Sequence, residues 1–206
     1  MQVAHGDRVT TRTTFQFKDG SLDDETTVFT QRQTFHLISD RHIQRGPSFP
    51  KPMDTLVEGN GNVTIRTGGD KDKVETNHMD LPADISNGLE FIELCNLRPA
   101  DTEAKVALVA PSGKGRLVHL AIKPDGDDTV DVMGMRRKVI VYRIHIDLGG
   151  VAAVVAPVIG KQPDDIRVWV LDGPAPLVVR IEAQMYEGGP VWRIEQTAAS
   201  FPGEPR

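Results

Sequence analysis

The side chains best suited to chemistry in this chain are histidines and carboxylates set two residues apart. His78 and Asp80 lie in the string Asn77-His78-Met79-Asp80-Leu81-Pro82-Ala83-Asp84. On an extended segment positions i and i+2 share a face, so the two groups could form an acid–base pair or supply two ligands to a metal. The plainer reading is a polar strand end that caps the helix after it. His145 and Asp147 repeat the spacing just before Gly149-Gly150. His119, between Leu117 and Ala121, reads as a hydrogen-bonded structural histidine. His78, Asp80 and His145 are therefore the candidate catalytic residues, provided the histidines converge.

Carboxylates also crowd Pro124-Asp125-Gly126-Asp127-Asp128-Thr129-Val130-Asp131. Asp125, Asp127 and Asp128 are the candidate metal ligands, because calcium favours oxygen-rich loops, although the spacing and terminal Glu of an EF-hand are absent. A solvated hairpin tip explains the same residues. It is also the reading for Leu22-Asp23-Asp24-Glu25. No cofactor is expected beyond such a divalent ion, calcium or zinc. Ser48 and Ser112 lack the glycine-flanked strand-to-helix setting of a hydrolase nucleophile. No phosphate loop, zinc spacing or nucleotide fingerprint is present.

These residues must be positioned by strands, because the dominant pattern has a period of two. From Arg8 to Phe17, Val9, Thr11, Thr13, Phe15 and Phe17 alternate with polar residues, which marks a half-buried strand. Further strands are expected at Thr26 to Thr30, Thr34 to Ile38, Val63 to Thr67, Val74 to Met79, Lys105 to Val109, Arg116 to Ile122 and Thr129 to Met133. Val139 to Leu148, Val168 to Leu171, Leu177 to Tyr186 and Val191 to Thr197 complete the series. Gly46 to Pro52 is a loop. One helix is expected near residues 86–97, with Asp84 and Ser86 as candidate N-caps and Leu89, Phe91, Ile92, Leu94 and Cys95 crowding its circumference.

The fold class follows as mainly β: a single curved antiparallel sheet, a half-barrel, wrapped over one short helix. Residues 1–200 are expected to form one domain, with a frayed tail at 201–206. Ile140, Tyr142, Ile144, Ile146, Leu177, Val179, Ile181 and Met185 should be mostly buried. A net charge of −5 argues against a nucleic-acid partner. The longest apolar run, Val151 to Ile159, is too short to span a bilayer and contains Pro157. The expectation is a soluble chain, with no leader visible at its start.

Gly149 to Pro163 is a small-residue apolar stretch bracketed by glycine and proline. It reads as a buried strand or as a flap at the mouth of a pocket. On the flap reading the expected partner is a lipophilic or acyl-chain small molecule, with Phe91, Ile144, Val158, Ile159 and Trp192 as ligand-binding residues. Of the two tryptophans, at least Trp192 is expected in the core or the cavity wall, while for Trp169 plain core packing without ligand contact is an equal reading. The rival reading is a metal-assisted hydrolase of acyl esters or lactones in the same apolar cup, with a bound ion polarising the carbonyl and activating a water.

Several strings carry a resemblance: His78 to Asp84 with Asn87-Gly88, Arg116 to Ile122, Gly149-Gly150 through Ala156-Pro157 to Gly160 and Pro163, and Gly188-Gly189-Pro190-Val191-Trp192-Arg193-Ile194. Together they resemble an uncharacterised family of secreted bacterial proteins. That family is loosely similar to lipoprotein-localisation (Lol-type) carriers and related half-barrel proteins. The resemblance implies a curved sheet wrapped on helices, an apolar cavity for acyl chains and a periplasmic or secreted location. It assigns no catalytic residues.

Overall fold

The computed structural model describes residues 1–68, 73–97, 101–132, 134–148 and 163–196. Its strands are β1 (Gln2–His5), β2 (Arg8–Gln16), β3 (Leu22–Arg32), β4 (Thr34–Arg45), β5 (Met53–Glu58), β6 (Asn62–Thr67), β7 (Lys73–His78), β8 (Ala104–Ala110), β9 (Arg116–Val132), β10 (Met135–Asp147), β11 (Ile166–Leu171), β12 (Val178–Gln184) and β13 (Val191–Glu195). The one helix among the described residues, α1, spans Glu90–Leu94. The mainly β, antiparallel character with one short helix is as expected. The strands divide between a seven-stranded sheet in the order β1 to β7 and a six-stranded sheet in the order β13 to β8. Met1–Glu90 with Val106–His119 pack as one compact unit, and Phe91–Lys105 with Leu120–Arg206 as a second.

In the first unit, neighbouring strands pair antiparallel along a meander. Phe15 faces Asp23, Thr13 faces Glu25 and Thr11 faces Thr27 across β2 and β3. One end of this face is apolar. There Leu37, Val57, Val63 and Ile65 pack with Ile85, Ala107 and Val109. The opposite face is held by ion pairs: Arg12 grips Asp24 through two hydrogen bonds of 2.8 and 2.9 Å, and Arg41 grips Asp54 in the same way.

Three stretches depart from the expected turns and helix. Asp23, Asp24 and Glu25 are not a hairpin tip but the body of β3, and the reversal falls earlier, where the Phe17 amide bonds the Ser21 carbonyl. Pro124 to Asp131 lies inside β9. The helix is shorter than residues 86–97 because residues 85–89 are engaged elsewhere. The Ser86 amide donates to the Ala107 carbonyl, and the Asn87 side chain bonds both the amide and the carbonyl of Val109. Gly88, at φ +68°, takes the left-handed region that stops a helix from running through it. A Cβ there would lie 2.0 Å from the Thr27 hydroxyl, so this backbone sits directly on β3. Strands β1 and β5 have no counterpart among the expected strands.

In the second unit, Tyr142, Ile144 and Val179 are buried as expected. Ile140, Ile146, Ile181 and Met185 are half-buried, and Leu177 is 40% exposed, because it precedes β12 rather than lying within it. No helix among the described residues is long and apolar enough to cross a membrane.

Candidate functional site

The first unit brings several titratable groups together on one sheet face. Because directly paired residues in an antiparallel sheet share a face, Thr13, Glu25, His42, Thr55, Ile65 and Glu75 form one transverse row across β2 to β7. Flanking rows bring Asp23 with Gln44, and Thr27 with Asp40, onto the same face. Asp23, Asp40, Gln44, Thr27 and Thr55 are all buried. The His42 side chain remains 27% exposed, and Thr13, opposite Glu25, is exposed, so the row opens toward β2.

The electrostatics follow from this arrangement. The Asp23 carboxylate accepts from His42 Nε2 at 3.1 Å on each oxygen and from the Gln44 amide at 2.6 Å. Burial alone would lower the His42 pKa, but the hydrogen bond to Asp23 and the charges of Glu25, Asp23 and Asp40 outweigh it and raise the ring to about 9. His42 is therefore an imidazolium at neutral pH, unsuited to act as a general base there. Burial, assisted by the Glu25 charge, lifts Asp40 to about 7 against the Thr27 hydrogen bond of 2.7 Å and the His42 charge. Burial also raises Glu25, against the pull of His42 and with a push from Asp23. Glu25 accepts no hydrogen bond among the described residues. Thr55 Oγ1, buried beside His42, has no partner there either. Clustered perturbed groups of this kind mark functional sites.

The second unit offers a contrasting apolar face. Tyr142, Val168, Ile181 and Ile194 run across β10 to β13, flanked by Ile144 with Ile166 and by Ala183 with Trp192. Ile144 and Val168 are fully buried, whereas Ile181, Ala183, Trp192 and Ile194 are half-buried. Phe91, on α1, is 37% exposed. The other face of the same sheet holds a charged cleft of about 290 Å³ lined by Arg143, Asp165, Arg167, Glu182 and Val191.

The residues nominated from sequence fall as follows. His78 Nδ1 contacts the Asn62 side chain at 3.1 Å, and Asp80 is exposed. His145 pairs with Asp165 at 2.7 Å. Asp125 is held by Arg143, and Asp128 accepts the Trp169 indole N–H at 3.0 Å and the Thr129 amide. Asp127 is exposed. No group of three His, Cys, Asp or Glu side chains among the described residues is arranged to hold a metal. Of the two tryptophans, Trp169 is the more buried, at 6% exposure. Val158 and Ile159, with the rest of the expected flap from Gly149 to Gln162, lie outside the described residues.

The acid–histidine row was missed in the sequence because Asp23-Asp24-Glu25 resembles a turn. The signal available was a repeated i, i+2 pattern, Asp23-Glu25-Thr27 and Asp40-His42-Gln44. No protein-family model, no curated protein and no solved structure matches the chain.

Proposed function

We propose that this protein binds and carries a lipophilic, acyl-chain ligand along the apolar face of its second sheet. An exported, envelope location belongs to the same proposal. The observation that supports it is the gradient across that face. Ile144 and Val168 are closed in the core, while Ile181, Ala183, Trp192 and Ile194 toward the β13 edge retain partial exposure. Covering such surface with a hydrocarbon chain gains about 25 cal/mol per Å² of apolar area. The hydrolase alternative has no assembled machinery behind it among the described residues. His78 and His145 contact Asn62 and Asp165, and the Asp125 and Asp128 carboxylates are engaged by Arg143 and Trp169.

The test is displacement of a fluorescent fatty acid by unlabelled long-chain fatty acids, using the full chain and the Ile181→Asp variant. Saturable displacement that Ile181→Asp weakens about tenfold or more supports the reading. A folded protein that binds no acyl probe sinks it.

A further inference from the structure

We propose that the acid–histidine row of the first sheet is a binding site for a primary ammonium group, with Glu25, Asp40 and Thr55 as its acceptors. The site lies in the first unit and does not depend on the acyl binding proposed above.

The argument rests on donors and charge. Three carboxylates, those of Asp23, Glu25 and Asp40, face a single imidazolium, His42. Asp23 is satisfied by His42 and Gln44. Asp40 uses Oδ1 for the Thr27 hydroxyl and has no donor on Oδ2 among the described residues. Glu25 faces His42 from β3 with no donor, and Thr55 faces it from β5 with an unpartnered hydroxyl oxygen. Thr55 is only 4% exposed, so bulk water does not supply that contact freely. Thr55 Oγ1 is closed off from water without a partner, which is costly, while Glu25 and Asp40 Oδ2 lack a protein donor among the described residues but are not sealed in the same way. Acceptors short of donors beside one ring define a complementary ligand. An ammonium brings three N–H donors, no acceptor and one positive charge.

Among the described residues, the other charged groups near the row do not supply the missing cation. On β7, Lys73 and Glu75 pair with each other at 3.0 Å. On β2, β5 and β6 the same face carries Thr13, Phe15, Met53, Thr55, Ile65 and Thr67, none of them charged. Gly88 covers the Thr27–Asp40 side with backbone. A chelated divalent metal is disfavoured, because no set of three metal-type ligands is arranged for one among the described residues. A primary amine enters from the β2 side, past exposed Thr13, and meets Glu25 first.

Protons and the ammonium then compete for the same acceptors. Asp40 titrates at about 7, so an ammonium bound near neutral pH displaces a proton. The experiment is isothermal titration calorimetry of the full chain with n-propylammonium chloride, repeated in buffers of different ionisation enthalpy. Tetramethylammonium chloride, which has the charge but no N–H donor, and potassium chloride are the controls. Saturable propylammonium binding at about millimolar concentration is expected. It should tighten between about pH 6 and about pH 8 and release protons. Tetramethylammonium and potassium should not saturate. Glu25→Gln should weaken binding about tenfold or more, Thr55→Val by several-fold, and Arg136→Ala in the other unit not at all. An equal response to tetramethylammonium overturns the proposal. So does binding indifferent to Glu25→Gln, or the absence of saturable propylammonium binding to the wild-type protein.

Discussion

Across four strands of the six-stranded sheet the transverse row reads Tyr142, Val168, Ile181, Ile194; across the seven-stranded sheet it reads Thr13, Glu25, His42, Thr55, Ile65, Glu75. Both rows come from antiparallel strands with side chains alternating between faces. The apolar row gains free energy from every side chain it removes from water. The polar row does not: desolvation raises Glu25 and Asp40, and Glu25 and Thr55 lack partners among the described residues. Local rules of good packing are broken chiefly where a protein has another use for the residues. The contrast therefore puts desolvated carboxylates and an unpartnered hydroxyl on the first sheet and graded apolar burial on the second.

The strongest way to break this comparison is to exchange chemistry between the two faces. Val168 is fully buried between Tyr142 and Ile181. Val168→Asp must keep a carboxyl neutral at pH 7, or bury its charge. Holding a group of ordinary pKa about 3.9 neutral at that pH costs roughly 4 kcal/mol, before the lost apolar contacts are counted. Urea unfolding at pH 7 should show that loss. Glu25→Gln removes a desolvated carboxylate that accepts no hydrogen bond among the described residues. It should leave stability within about 1 kcal/mol of wild type, or raise it. Similar large losses for both variants would mean that Glu25 is as structural as Val168.

A smaller effect, opposite in sign to common acid denaturation, follows from the raised groups. Asp40 holds its proton to about 7 in the folded state against 3.8 ordinarily, and His42 to about 9 against 6.5. In both cases the folded protein binds more protons than the unfolded chain, so stability falls as pH rises. The Asp40 contribution is complete below about pH 4 and lost as pH passes 7. The His42 contribution is complete below 6.5 and lost as pH passes 9. On the opposite face, Asp24 and Asp54 are held low by hydrogen bonds to Arg12 and Arg41, so their contributions are lost in acid instead. Urea midpoints should therefore be higher in mild acid than at about pH 9. Asp40→Asn should flatten the profile through neutrality. A midpoint that climbs steadily toward alkaline pH would show that the first sheet does not bury these groups.

Much of the second sheet was legible from the chain, and much of the first was not, for a physical reason. Ile140-Tyr142-Ile144 and Leu177 to Met185 announce strands through alternating apolar residues, of which Tyr142, Ile144 and Val179 are buried, Ile140, Ile181 and Met185 half-buried and Leu177 exposed. The first sheet buries Asp23, Thr27, Asp40 and Gln44, so hydrophobic alternation marks little of β3 and only part of β4. Glu25 also meets His42 only because of a register shift between Val28 and Phe29, where β4 contributes an extra residue. A bulge of that kind leaves no trace in composition. The helix was overextended because Leu89 to Cys95 is apolar enough for one. The signal against it was Gly88, whose backbone must lie against Thr27, and that contact belongs to the tertiary structure.

The smallest expected effect concerns His145, the histidine nominated for catalysis in the second unit. It meets Asp165 at 2.7 Å, but the two side chains are 53% and 34% exposed. Exposed ion pairs contribute about 0–1 kcal/mol and are screened by salt. His145→Gln should therefore shift the urea midpoint by less than the equivalent of about 0.5 kcal/mol. His42→Gln, by contrast, removes an imidazolium from between Asp23 and Glu25 and leaves the buried carboxylates without their cation, a loss of about 3 kcal/mol or more. The two histidine variants thus restate the difference between the sheets within one residue type. Comparable losses for both, or turnover of p-nitrophenyl esters that disappears only in His145→Gln, would return the site of chemistry to the second sheet.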